Sequence, residues 1–563
     1  MKKLLPCIFC LFFINSFAQN SIPQDYFRNP LEITPILAGT FAELRPNHFH
    51  GGLDIKTEQR EGLNVHAAAD GYVSRIKIQH YGYGKALYIQ HPNGYTTVYG
   101  HLQKFAPEIE AYVKKHQYEK ESYEIELFPG PDELKVNKGD IVALSGETGG
   151  AAGPHLHFEI RDGKQRPMNP QLFGIKIKDS EKPTIYSLFA YPMDEDSQVN
   201  GSSERQEVKL IPLADGSFKT PEIDACGNVG FGISTIDQLD GAANHNGIYE
   251  IATSVNGDTL FKMDMNRFSF AESRRVNQLI DYEYYSEHNK RITRLFVKPG
   301  NPLSVYDEVS NGGVINVKDS LDYLFKIRVA DFAGNERVIR IPIKGKYIAD
   351  ISPKKVDTTD YYVKSDQAFS AEGNGMDVYI PKGALYEDTF LDIAFKGDTL
   401  HLHKDIVPIQ HNITVGFDVS KYKPEDREKL FIARLGYKGR PIYSDTYKKG
   451  DRFTSGIRTF GDYTLVADIT PPDITPVNFK DGQWISGNSI LKLKISDDLS
   501  GINSYRATVN GKFVLMEYEY KNNTLTHDFS DGVVTDTENH LKVIVTDNVG
   551  NSSTYEATFY RKQ

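Results

Sequence analysis

Three short segments carry residue types that can do chemistry if they meet: His50-Gly51-Gly52-Leu53-Asp54, Tyr99-Gly100-His101-Leu102 and Gly153-Pro154-His155-Leu156-His157-Phe158-Glu159. On a β-strand, residues two or four apart face the same side. His155 and His157 therefore project together, and so can His50 and Asp54. A helix would also align positions four apart, but Gly51-Gly52 and the strand-like surroundings argue against one. Imidazole nitrogen and carboxylate oxygen suit zinc, and three protein ligands with a fourth position left to water make a catalytic rather than a structural site. Each piece alone arises often by chance. Nine of the sixteen histidines, however, lie between residues 48 and 157.

The three segments occur in a fixed order, and the Gly-rich run Ser145-Gly146-Glu147-Thr148-Gly149-Gly150 precedes the last one. This combination resembles the lysostaphin-type (LytM-like) zinc metallopeptidases, over about residues 40–175. The resemblance implies Zn2+ held by His50, Asp54 and His157, with His101 and His155 as catalytic histidines. It also implies peptidoglycan peptides as substrate and an all-β, duplicated-hybrid-motif fold. The departure from the family is a long insert between His101 and Gly139, which bears on substrate choice because an added helix near the cleft could narrow or gate it. Arg45 and Asn47 sit close enough to the first motif to brace it, and His48 shares a strand face with His50. Glu159 either supports the metal-binding histidines from behind or pairs along its strand. His66, His80, His91 and His116 read as ordinary strand or surface residues, and His401 and His403 as alternating positions on a polar strand.

The elements that must position these residues are short β segments at 71–76, 86–90, 95–99 and 141–144, punctuated by glycine. One stretch breaks the pattern. Pro107 to Lys120 has proline at a first helical turn and few β-branched residues, which predicts a short helix. After residue 183 strands alternate with polar turns, and a repeat appears three times: Asp224-Ala225-Cys226-Gly227-Asn228, Asp331-Phe332-Ala333-Gly334-Asn335 and Asp547-Asn548-Val549-Gly550-Asn551. Asp and Gly-Asn supply the capped and positive-φ positions of turns between strands, as serial β-sandwich modules would show. Their spacing is not that of a calcium loop, so they read as turns without a binding role, with calcium ligation by the Asp residues as the minor alternative. The expected organisation is a leader at 1–18, a zinc peptidase domain at 19–178, an Ig-like β-sandwich region at 179–350, a different β-rich module at 351–470 and a C-terminal Ig-like sandwich at 471–563. The fold class is all-β.

The 563 residues include 25% charged and 39% hydrophobic side chains and carry a formal charge of −10. That balance describes several globular domains and argues against a nucleic-acid partner, which needs a basic face. Lys2-Lys3, an apolar run at 4–14 and Ser16-Phe17-Ala18 form the pattern of a secretory signal peptide, so export to the periplasm, cell envelope or exterior is expected, with no transmembrane segment in the mature chain. Cleavage there removes Cys7 and Cys10 and leaves only Cys226, so no intramolecular disulfide is expected. Two other functions compete with an exported endopeptidase. One is a non-catalytic activator of other wall hydrolases; the other is a wall-binding or adhesive β-sandwich protein that meets envelope partners through its C-terminal modules. A glycosidase would want a carboxylate pair, and none stands out.

Overall fold

The computed structural model describes residues 22–349, 351–355 and 357–562; the expected leader at 1–18 lies outside the described residues. Strands dominate, as an all-β class requires. The amino-terminal sheet uses β1 (Leu37–Gly39), β2 (Leu53–Lys56), β4 (Gly71–Ile78), β5 (Lys85–Gln90), β6 (Thr96–Gly100), β8 (Ile125–Leu127) and β10 (His155–Arg161), in the spatial order β1-β2-β10-β6-β5-β4-β8. A smaller sheet of β3 (Asn64–His66), β9 (Ile141–Ser145) and β7 (Leu102–Phe105) lies beside it.

Strand β10 is the central fact of this fold. It is antiparallel to β2 on one edge, with His157 opposite Asp54, and to β6 on the other, with His157 opposite Gly100. One strand therefore carries the third motif and sets both other motifs level with it. Along β10, Leu156, Phe158 and Ile160 enter the core and are fully buried. The alternate positions His155, His157, Glu159 and Arg161 form the opposite, polar face. Each buried Leu, Ile or Phe contributes about 1.5–3 kcal/mol, so the apolar face fixes the register, and a slip of one residue would turn the histidines inward.

His50 and Asp54 do not share one continuous strand. Residues His48–Phe49 pair with Leu44–Arg45, whereas Leu53–Lys56 pairs with β1 and β10, so the chain changes sheets between them. Gly52 makes that crossing against β10: a Cβ there would lie 2.2 Å from the Phe158 carbonyl oxygen and 2.9 Å from Glu159 Cγ.

The expected helix is α1 (Pro107–Lys120), with proline in its first turn, Ile109 and Val113 buried, and Glu121 closing it in the left-handed conformation. It packs on β7, where Glu110 accepts from the Phe105 amide at 3.1 Å. The insert, the start of β5 and the Gly-rich loop meet the C-terminal sandwich. Arg506 pairs with Glu121 at 2.6 Å, Lys85 with Glu517 at 2.9 Å, and Lys521 donates to the carbonyls of Glu147 and Ala151 at 2.5 and 3.2 Å.

Beyond residue 183, β11 (Thr184–Pro192), β12 (Ile223–Ile236), β13 (Glu250–Val255), β14 (Asp258–Asp264), β15 (Asp322–Ala330) and β16 (Glu336–Gly345) belong to one large sheet in the order β11-β12-β16-β15-β13-β14. Two five-stranded sheets follow between residues 369 and 467, around Val378, Leu400, Val415 and Ile432. A four- and a five-stranded sheet follow between 473 and 560, around Leu493, Leu525, Val543 and Phe559. Two of the three repeats sit where a strand turns back. The first does not: residues 224–228 run inside β12, whose 14 residues pair with several neighbours in turn.

Gly52→Ala should therefore lower the stability of the amino-terminal domain by about 1–3 kcal/mol, the usual cost of forcing atoms into a packed site. Gly153→Ala, with open space around its Cβ position, should be near neutral. Urea midpoints of the two full-length variants check this.

Candidate metal centre

The three elements bring His50, Asp54 and His157 to one point. Their donor atoms lie within 4.8 Å of one another, and all three residues are buried. His50 Nε2 is 2.9 Å from Asp54 Oδ1 and 3.1 Å from His157 Nδ1, and His157 Nδ1 is 2.8 Å from Asp54 Oδ1. Their outward bonds set the tautomers. His50 Nδ1 lies 2.7 Å from the Thr40 carbonyl, which can only accept, and His157 Nε2 lies 2.8 Å from the Glu159 carboxylate. Each of those nitrogens carries its hydrogen outward, as imidazoles do when a backbone carbonyl or carboxylate stands behind them. Two lone pairs and a carboxylate oxygen are left facing each other in a buried space, and only a positive species between them removes the repulsion. The donor set of two imidazoles and one carboxylate fits Zn2+ with an open fourth position.

The electrostatics give the same answer. Burial pushes the pKa of His157 down, but its bonds to Asp54 and Glu159 outweigh that and raise it to about 9. Burial lowers that of His50 despite Asp54 beside it. Burial works against the Asp54 carboxylate, yet the neighbouring imidazoles hold it well below the usual carboxylate range. The site thus draws in positive charge and keeps one imidazole neutral.

His101 and His155 stand at the rim, with ring centroids 4.7 Å apart. His101 Nδ1 donates to the Thr148 carbonyl and His155 Nδ1 to the Gly153 carbonyl, each at 2.8 Å. Their Nε2 atoms are left as acceptors; that of His155 is 3.5 Å from Asp54 Oδ1. His101 has φ +59°, a conformation a non-glycine residue adopts at a cost and one that concentrates at functional sites. Burial, then the charges of His157 and His155, lower its pKa to about 3, so it is neutral at physiological pH.

Arg45 donates to Asp54 Oδ2 at 2.7 Å, as its place in the sequence suggested. Asn47 instead turns to Asn277, and His48 is exposed and bonded to the Pro46 carbonyl. Glu159 does both things expected of it: it backs His157 and accepts from Arg161 at 2.5 Å. Burial opposes the Glu159 charge, but Arg161 and His157 hold its pKa at about 2. His401 binds Asp462 and Asp392 in a different part of the chain. Residues that motif reading missed are Thr40, Thr148 and Tyr83. The first two act through backbone carbonyls, which leave no mark in side-chain identity. Tyr83 donates its hydroxyl to Glu159 and stacks on His157 with centroids 4.8 Å apart, one tyrosine among 33.

Comparison with known proteins places the amino-terminal part of the chain. The Peptidase family M23 model matches residues 48–118, and a Zu5-like domain model matches residues 360–468. The M23 match ends inside α1, within the insert that separates the second motif from the third. The chain is 34% identical over 121 residues to the DD-carboxypeptidase/endopeptidase Mpg of Neisseria meningitidis serogroup B, covering 22% of each chain. It is 34% identical over 131 residues to the peptidoglycan DD-endopeptidase ShyA of Vibrio cholerae, covering 23% of this chain and 24% of that one. The matched segment thus spans about a quarter or less of the length of these relatives. Among solved structures, the catalytic domain of lysostaphin from Staphylococcus simulans matches at 20% identity and a TM-score of 0.18, over 24% of this chain and 90% of that one. The chain carries an M23 (LytM-type) peptidase domain followed by further β modules.

Glu159→Ala leaves the Arg161 guanidinium buried without its counter-charge, a loss of about 3–5 kcal/mol. Tyr83→Phe, which removes one hydrogen bond to the same carboxylate, should cost about 1 kcal/mol. Chemical denaturation of both variants checks the difference.

Proposed function

We propose that this protein is an exported zinc metalloendopeptidase that hydrolyses peptide bonds in the stem or cross-bridge peptides of peptidoglycan. The observation that carries the reading is the convergence of His50, Asp54 and His157, with His101 and His155 at the rim and all five expected positions filled. The M23 relatives named for peptidoglycan support the substrate class, and the leader pattern at 1–18 supports export.

His50, Asp54 and His157 would hold the zinc. Bound there, zinc supplies a Lewis acid that lowers the pKa of water from 15.7 toward ~7 and polarises a carbonyl. The protein's own residues do the rest. His101 and His155, held as donors at Nδ1 by the Thr148 and Gly153 carbonyls, leave their Nε2 atoms as acceptors. The one that takes the proton of the attacking water at Nε2 can hand that same proton on to the leaving amine, a general acid–base step that contributes about 10²–10⁴-fold. Arg45 and Glu159 hold Asp54 and His157 in place. A non-catalytic activator of other hydrolases has no need of a complete set of ligands and proton carriers, so their presence favours the enzyme.

Two outcomes test this. His50→Ala, Asp54→Ala and His157→Ala should lose bound zinc and activity together. His101→Ala and His155→Ala should keep zinc and lose about 10²–10⁴-fold in activity, read by zinc content and by mass spectrometry of the peptides released from purified peptidoglycan. Full activity in any of the five contradicts the assignment.

The second outcome concerns pH. With its pKa raised to about 9, His157 is protonated in the metal-free protein at pH 7 and must lose that proton to bind a metal. Zinc binding should therefore release about one proton per ion at pH 7, and less as pH rises through about 9. In the metal-free protein the same raised pKa stabilises the fold below pH 6.5, and that contribution is lost as pH rises through about 9. Calorimetric titrations in buffers of different ionisation enthalpy read the proton count.

A further inference from the structure

Two of the three repeats contribute to something their spacing does not show. Asp331, which opens the second repeat, lies together with Asp179 from the stretch leading into the large sheet and Asp237 just past the end of β12. One carboxylate oxygen from each lies within 4.8 Å of the others. Asp331 and Asp237 are 3% and 2% exposed. Among the described residues, no Lys or Arg pairs with any of the three. Asp237 Oδ1 is buried with no hydrogen-bond partner at all. Asp179 and Asp237 also line a cavity of about 20 Å³, enough for one water-sized body, which needs about 10–15 Å³.

The first repeat shows the contrast. Its Asp224 stands alone and is neutralised by Lys346 at 2.7 Å. The third repeat shows the recurrence. Asp547 meets Asp468, which precedes the last sandwich, and Asp497, just past a strand end. The two junctions share their asparagine bonds. Asn335 Nδ2 donates to Asp331 Oδ2 at 2.8 Å and to the Asp179 carbonyl at 3.3 Å; Asn551 Nδ2 donates to Asp547 Oδ2 at 2.7 Å and to the Asp468 carbonyl at 3.0 Å.

We propose that Asp179, Asp237 and Asp331 bind a calcium ion that clamps the stretch after the peptidase domain onto the large β-sheet. The donors are all hard oxygens, with no nitrogen or sulfur, which selects calcium or magnesium over zinc. Three protein carboxylates at one point suit calcium, which takes many oxygen ligands in flexible geometry, whereas magnesium binds through one or two carboxylates and keeps several waters. An unpartnered carboxylate oxygen in a closed space carries a desolvation cost that a cation removes. Without one, burial and the neighbouring carboxylates raise the pKa of Asp237 to about 8 and that of Asp179 to about 7. The clamp reaches toward the metal centre as well: the same cavity is lined by Thr40, whose carbonyl holds His50.

The test is equilibrium dialysis of the full-length, zinc-loaded protein against calcium, counting ions per chain, with thermal unfolding of the same samples. Wild type should bind calcium at micromolar to millimolar concentration and unfold at a higher temperature with it. Asp237→Asn should bind one calcium fewer and lose that site's share of the shift. As a neutral isostere it removes repulsion, so its calcium-free unfolding temperature should equal or exceed that of wild type. Asp179→Asn, on a half-buried stretch, gives the same reading if Asp237→Asn folds poorly. An equal calcium count in wild type and the variants, or no binding to wild type at millimolar calcium, overturns the proposal.

Discussion

Two imidazole lone pairs and a carboxylate oxygen, held within 3.1 Å of one another out of contact with water, are the constraint on which the amino-terminal domain is built. Such a cluster repels itself unless a positive species occupies its centre. The surroundings do nothing to relax it. The Thr40 carbonyl and the Glu159 carboxylate direct the hydrogens of His50 and His157 outward, Arg45 steadies the far oxygen of Asp54, and Tyr83 covers the His157 ring. The stability given up at this point is recovered from the apolar face of the same strand, where Leu156, Phe158 and Ile160 are fully buried. Function and stability share β10, on opposite faces.

The rest of the chain bears on this domain through its backbone. The stretch before the first motif bonds to the loop between β12 and β13, since Thr40 and Gly247 exchange two hydrogen bonds, through the Thr40 hydroxyl and the Gly247 amide and carbonyl. The C-terminal sandwich reaches the Gly-rich loop through Lys521 and the insert through Arg506. The loop it touches carries Thr148 and leads to Gly153, whose carbonyls orient His101 and His155. The β modules are therefore attached to the two segments that set the tautomers of the site histidines.

Much of this was legible in the residue types. The three histidine motifs announce a shared site because only their co-occurrence is improbable, and proline with few β-branched residues marks the helix at 107–120. What escaped had physical reasons. Main-chain carbonyls from Thr40, Thr148 and Gly153 are indifferent to side-chain identity. The strand rule for positions four apart gave the right pair, His50 and Asp54, for the wrong reason, because the chain changes sheets at Gly51-Gly52. The insert reads as a potential cleft wall, but its helix faces the last sandwich, a contact between residues nearly 400 positions apart that no local pattern encodes. The aspartate of a turn repeat looks like a cap until folding sets two further carboxylates beside it.

The most direct test of the central claim is X-ray absorption at the zinc edge of the loaded full-length protein. The account predicts a first shell of two imidazole nitrogens and carboxylate and water oxygens at about 2.0–2.2 Å, four-coordinate, and the loss of that signal with the zinc in His157→Ala. A shell made of oxygens alone, or one unchanged by that substitution, would contradict it.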